Sequence, residues 1–447
     1  EFDEALTVQS DMSLGFIRQA PPGGYPTYGG KGQFHNTIKL SNKGLRGDGK
    51  LEYLTSTTLS DDFKFYPKSV EALAQSHVLA EVKTGTEFPP VQGDSVNINW
   101  KPQEDVFYTT AVTNNSLAFY DMRSYFRGTT ALRPNGLSGN GVFLFEKANL
   151  ASKNMIFQNT VFDADTADFE LLEENNSGFA LNTANVKAHV DYKGRFAEFK
   201  PNGEDDPIFF PTNQYLCFME EFKWYMDNGM IDLTGKAQNT VSADVKLEGS
   251  KFISTKTEQD SLFFYSPIAR FDSRRHIISA FDVKYITTGD AKVFPDSGAE
   301  VIRKSANMEQ LENAGVVANA VTEYHNIYNA KIKIEGKKKY FGSGYIDYVD
   351  ENSNAQSIYL QTINVDTTGQ TIAHGVIEDD SLFTLSPQHA FKGEVDLLAN
   401  NQYLIFDGGV RINHNCDLIR INWLRFRGEI NPNEIYIPVD TGIVDVN

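Results

Sequence analysis

Seven residues, Gly44-Leu45-Arg46-Gly47-Asp48-Gly49-Lys50, spell most of a phosphate-binding loop. Such a loop needs Ser or Thr after its lysine to hold Mg²⁺, and then a helix whose N-terminus faces the phosphate. Leu51 follows instead and a strand begins, so the context for nucleotide binding fails. The densest acidic cluster holds Asp163, Asp165 and Asp168, with Glu170, Glu173 and Glu174 behind them. Carboxylates at alternate positions offer hard oxygens to calcium, the one cofactor the sequence suggests. The glycine and closing glutamate of a calcium-binding hand are missing, and the competing reading is a solvated turn.

Adjacent acids occur at Asp61-Asp62, Asp205-Asp206 and Asp379-Asp380. Glycoside cleavage needs two carboxyl groups facing each other across a cleft. Neighbours on a strand point to opposite faces, so these pairs read as exposed turn acids. His414 and Cys416 would share a strand face, which permits a Cys–His pair without any visible third group to orient it. No catalytic residue is therefore assigned. The aromatic band Tyr215, Phe218, Phe222, Trp224 and Tyr225 has two readings. As core it is unremarkable. Exposed, Tyr215, Phe222 and Trp224 would stack sugars.

The elements that must position these residues are strands. The chain has 447 residues, 40% of them hydrophobic, with 32 Phe and 20 Tyr, enough to build a sizeable core from strand-favouring rings. Apolar residues alternate in Lys50–Leu54, Phe63–Tyr66, Lys331–Glu335, Gly344–Tyr348 and Tyr403–Phe406, with Gly, Asn and Asp between the runs. The one helical window, Ser305–Asn313, reads equally well as a bent strand. A formal charge of −18 repels phosphate backbones and argues against nucleic acid as a partner. Two cysteines, Cys217 and Cys416, exclude a disulfide scaffold, and whether they pair is open. No apolar run is long enough to cross a bilayer as a helix, and the start at Glu1-Phe2-Asp3 reads as a processed or excised piece.

Internal similarity is the strongest signal. Without gaps, Phe34–Phe65 matches Phe126–Phe157 at nine of thirty-two positions, including Phe34/Phe126, Gly47/Gly139, Gly49/Gly141 and Phe65/Phe157. About two matches are expected by chance. The kernel Gly-x-Gly-x-apolar-x-aromatic returns at Gly342–Tyr348. A second echo joins Asp260-Ser261-Leu262-Phe263, Ser266-Pro267 and Phe271 to Asp380-Ser381-Leu382-Phe383, Ser386-Pro387 and Phe391, each reading as turn, apolar strand and proline stop. Phe294–Ile302 reads as a rung with an Asp-Ser-Gly corner. Units that cannot bury an apolar face alone must stack. The expected fold is all-β, an elongated repeat array (β-solenoid, stacked β-sheet or β-groove) with few or no helices. Its expected parts are a lead-in over 1–33, a repeat region over 34–270 and a second solenoid-like region over 271–447.

The Gly-x-Gly strands, Asp-rich turns and rung-like segments resemble the large repetitive all-β envelope proteins of Gram-negative bacteria. The strand–turn–glycine–strand rhythm of Phe391–Ile412 is also similar to lipopolysaccharide-transport (organic-solvent-tolerance) repeats. The first likeness implies a structural or scaffolding segment in the periplasm, outer membrane or cell surface, with flanking domains of a parent protein or other envelope proteins as partners. The second implies a groove that conducts lipid or glycolipid. A glycan-binding or glycan-active β-helix is the third expectation, resting on the aromatic band. Neither likeness carries a site residue, because the lining of a groove is a property of the stacked fold.

Overall fold

The computed structural model describes residues 5–112, 114–175, 177–235, 240–242, 245–247, 249–416 and 422–437. Among them the chain is all-β, with 39 strands, four three-residue 3₁₀ turns and no α-helix. Every strand pairing described is antiparallel, so the strands meet as meanders and hairpins and not as the parallel rungs of a β-helix. The window 305–313 resolves as a bent strand. Lys304–Ala306 makes a 3₁₀ turn, and Asn307–Met308 and Leu311–Ala318 are extended, with Met308, Leu311, Ala314, Val316 and Ala318 all turned inward.

The chain divides into two compact units, Glu1–Ile208 with Glu221–Ile231, and Phe209–Glu220 with Asp232–Asn447. The sequence boundary drawn at 270 lies inside the second. The lead-in over 1–33 is already part of the sheet, since Leu14–Gln19 and Tyr25–Thr27 both pair with Gly32–Ser41.

In the first unit Gly32–Ser41, Gly44–Tyr53, Ser56–Phe65, Val70–Leu79 and Val91–Lys101 each pair with the next. A second meander runs from Ser124–Arg133 through Gly136–Phe145, Ala148–Phe157 and Val161–Leu172 to Phe179–Asp191. Alternation in the sequence becomes alternation in burial, as period two requires: Leu51 and Tyr53 are buried while Lys50 and Glu52 reach solvent.

These strands do not lie flat. Phe34 stands opposite Leu51, and Leu51 stands opposite Thr58. Phe65 is seven residues further along that third strand, so on a flat sheet it would lie about 23 Å from Phe34. Their ring centroids are 5.1 Å apart. The sheet is folded over, and both ends of each long strand feed one interior. The fold line is marked by residues with left-handed backbone or slipped register at mid-strand. Asn36 (φ 86°) faces Gly49 (φ 151°), Ser95 has φ 54°, Gly128 (φ 155°) faces Gly141 (φ 157°), and Asn185 has φ 56°. Bulges bend a strand and sharpen its twist, and repeated at neighbouring positions they crease a sheet.

The first two Gly-x-Gly segments sit in the same setting. Register slips between Gly47 and Gly49, and again between Gly139 and Gly141. A Cβ on Gly49 would fall 2.1 Å from the His35 carbonyl oxygen, and one on Gly141 2.2 Å from that of Arg127, so two backbones touch at the crease and only glycine fits. The third segment also slips, between Gly342 and Gly344, yet its roles are exchanged. There the first glycine meets backbone, at Lys331, and the second meets side chains, of Ile327 and Ala330.

In the second unit the fold line falls between short strands. Phe263–Ser266 pairs with Ser250–Ser254, the chain turns at Pro267, and Ile268–Asp272 pairs instead with Ile277–Phe281. Ser266 Oγ is 2.7 Å from both the Ile268 and Phe281 carbonyl oxygens and fastens this corner. The Asp-Ser-Gly corner forms likewise: Gly298 has φ 65° and its N–H donates to Pro295 O, while the flanking strands Ala291–Phe294 and Glu300–Arg303 pair with different partners. The second echo holds in outline. Asp260 and Leu382 each end a 3₁₀ turn in left-handed backbone, a short strand follows, and Ser266 and Ser386 are both buried before proline. Its phase differs, for Leu262 is buried and Leu382 is exposed.

The interiors are filled with rings. Phe119, Phe126, Phe143, Phe157 and Phe162 crowd together in the first unit, with centroids 4.7 Å apart between Phe143 and Phe162. In the second, Phe383, Phe391 and Phe406 pack with Tyr348 and Phe426. Rings at these separations are in direct contact.

Candidate functional site

The residues that the sequence singled out are held in structural roles. Gly44–Tyr53 is one continuous strand, so the phosphate-loop look-alike has no helix to offer an anion. Asp163, Asp165 and Asp168 all lie on the strand Val161–Leu172, not in a turn. Asp163 is 2.6 Å from His189 Nδ1, and Asp168 accepts the Asn185 backbone N–H at 3.2 Å. Among the described residues no three His, Cys, Asp or Glu side chains gather around a point that could hold a metal.

Three of the five rings of the aromatic band are core, while Phe218 and Tyr225 are half-buried. Tyr215, Phe222 and Trp224 are 0%, 2% and 2% exposed, out of reach of a sugar in solution. Phe222 stacks on Phe199 at 4.6 Å and Trp224 packs on Phe145 within the first unit, while Tyr215 belongs to the second. Cys217 is a buried free thiol, pushed well above its usual range by desolvation, and Cys416 is an exposed one, so they do not pair. His414 Nδ1 accepts the Cys416 backbone N–H at 3.2 Å, which directs that nitrogen to the main chain.

The adjacent acids are separated by their partners. Arg46 bonds both oxygens of Asp62 at 2.7 and 2.6 Å, while Asp61 accepts from Gln75. Asp206 accepts from the Gly203 N–H and from Asn185. Asp379 lines a surface groove of about 460 Å³ with Glu378, Glu394 and Asp407. Lys392 lies 3.4 Å from Asp379 and Arg427 3.6 Å from Asp407, so these two acids are drawn into ion pairs.

One surface feature of the second unit gathers exposed rings beside polar groups. His325–Gly336, Lys339–Val349 and Ala355–Val365 are consecutive strands, and their outward rows can be read from register. Tyr328 stands opposite Tyr345, and Tyr345 opposite Tyr359. The rings are 6.1 and 5.0 Å apart, and Tyr345 and Tyr359 are 39% and 42% exposed. The next row holds Asp347 opposite Ser357. Tyr328 Oη donates to Asp347 Oδ1 at 2.6 Å and Ser357 Oγ reaches the same oxygen at 3.0 Å. Tyr328 and Asp347 also line a groove of about 380 Å³ with Tyr324, Asn326, Gln402 and Tyr403. His325, itself buried, also lines it. Burial holds that imidazole below its usual range, against a bond from Nε2 to Asn401 O at 2.8 Å.

Sequence reasoning passed over these residues although it had marked Gly344–Tyr348 as an alternating strand. Alternation separates Tyr345 and Asp347 from Ile346 and Tyr348. With a tyrosine on each face, it does not say which face is wet. Asp347 was the only available hint. Compared with family models, with curated proteins and with solved structures, the chain matches none.

Proposed function

We propose that this chain is a non-catalytic structural segment of a larger bacterial envelope or surface protein, built from folded-over sheet units that follow one another along the sequence. The observation that carries the reading is the interior. Each unit is packed with rings, and among the described residues no three His, Cys, Asp or Glu side chains gather around a point that could hold a metal. Equivalent placement of Gly47 with Gly139 supports a repeated hairpin design within the first unit. The filled interior favours this reading over a lipid-conducting groove, which needs an open apolar lumen.

The test has two arms. Purified protein is screened against chromogenic esters, glycosides, phosphoesters and peptides, and is separately extracted with organic solvent for mass spectrometry. No turnover and no stoichiometric lipid are expected. Turnover of any substrate overturns the non-catalytic reading, and lipid bound at one or more equivalents replaces it with the conduit.

A further inference from the structure

We propose that the tyrosine face and groove of the second unit, Tyr324, Tyr328, Tyr345, Tyr359 and Tyr403 with Asp347, form a binding site for a neutral oligosaccharide. A sugar ring presents an apolar C–H face and a rim of hydroxyls. Its receptor therefore needs aromatic faces beside hydrogen-bonding groups. The outward rows supply both: three tyrosines abreast on adjacent strands, and beside them the polar row of Asp347 and Ser357. Asn326 and Gln402 in the adjoining groove add amide donors and acceptors.

Asp347 sets the chemistry further. Both bonds it receives go to Oδ1, which leaves the lone pairs of Oδ2 for a ligand hydroxyl. These same bonds lock Tyr328 and Asp347 in place before any ligand arrives, so little side-chain freedom is lost on binding. No Lys or Arg lines the groove, and Asp347 is its only carboxylate. An acidic sugar would meet uncompensated negative charge, whereas a neutral one would not. A single carboxylate also separates binding from cleavage, which takes two.

Tyrosines paired across a sheet also stabilise it, by about 0.2–1 kcal/mol per pair. That role predicts a loss of stability on truncation and no ligand. The two roles are separated by affinity electrophoresis of the full chain through gels holding laminarin, mixed-linkage β-glucan, xyloglucan, galactomannan or pullulan. At least one neutral polysaccharide is expected to retard the protein. The double variant Tyr345→Ala/Tyr359→Ala should migrate freely in that gel, with affinity reduced at least about tenfold. Asp347→Asn, which keeps the shape but replaces the Oδ2 acceptor with an N–H donor, should weaken retardation by the neutral polymer. Retardation by none of the five polymers, or retardation that survives the double substitution, overturns the proposal. Thermal unfolding of the same variants confirms that the fold is intact when retardation is read.

Discussion

Phe126 and Phe157 meet edge to face with ring centroids 5.7 Å apart, across the inner side of Gly139, although one intervening strand and seven residues of register separate them. A Cβ on Gly139 would lie 2.8 Å from the Phe157 ring and 2.9 Å from that of Phe126. Gly139→Ala should therefore force the two arms of the creased sheet apart. Overpacking of this kind costs about 1–3 kcal/mol. Urea unfolding followed by circular dichroism should show a lowered midpoint. An unchanged midpoint would mean that the rings relax freely and do not hold the fold closed.

Phe143 sits among Phe119, Phe126, Phe157, Phe162 and Tyr192 and is fully buried. Phe143→Ala should cost about 3–5 kcal/mol through lost burial and a cavity. Small aromatic solutes such as benzene should partly restore the melting temperature by filling that cavity.

Glu300 is sunk in an interior, 1% exposed, with its Oε2 lacking a hydrogen-bond partner. Burial pushes its carboxyl up to about 8, against the Val301 and Glu309 N–H groups and the Lys333 charge, which pull it down, while Glu309's charge pushes the same way as burial. Tyr215 also feels its charge. A folded value above the unfolded one means that the fold holds a proton the unfolded chain releases. Stability from this group is full below about 4.5 and is lost as pH rises to about 8. Glu300→Gln should flatten that decline, a difference on the order of a few kcal/mol between the two limits. Denaturation midpoints at a series of pH values across this window read it directly, and parallel curves for the two proteins would contradict it.

His77 works in the opposite sense. Buried against Phe107 at 5.4 Å and 2.8 Å from Thr58 Oγ1, it is lowered from 6.5 to about 4 by desolvation. The fold holds it neutral, so its contribution is present above about 6.5 and is lost as pH falls toward about 4. His77→Gln should remove this acid-side loss, while lowering stability at neutral pH through poorer packing. Nuclear magnetic resonance titration of the imidazole should show no protonation down to about pH 5.

The two thiols differ in reach. A colorimetric thiol reagent should label one cysteine rapidly in the native protein, Cys416, and a second only on unfolding, Cys217. Rapid labelling of both would place Cys217 outside the core.

The strand content was legible because alternation, β-branched residues and rings all point the same way in runs such as Lys331–Glu335. The matched segments were legible too, since identical glycines answer to identical close approaches. The crease was not. It arises from slipped register at Gly49, Gly141 and Asn185, and register is a relation between strands that one strand's pattern does not state. The aromatic band failed as a surface site for a related reason. Ring content marks a residue as worth burying or worth showing, and only the neighbouring strands decide which. Nor did Gly342-Ser343-Gly344 betray its exchanged roles, because a kernel of seven residues is silent about which glycine meets backbone.

Through each meander nearly every strand is hydrogen-bonded to the one before it and the one after it in the chain. Architecture of this sort is modular along its length. A hairpin can be duplicated or deleted at its turns while strands farther away keep their partners, so genes for such proteins are free to drift in length by whole hairpins. Mechanical load would follow the same order, with tension applied at one terminus peeling strands off one after another rather than breaking the protein in a single event.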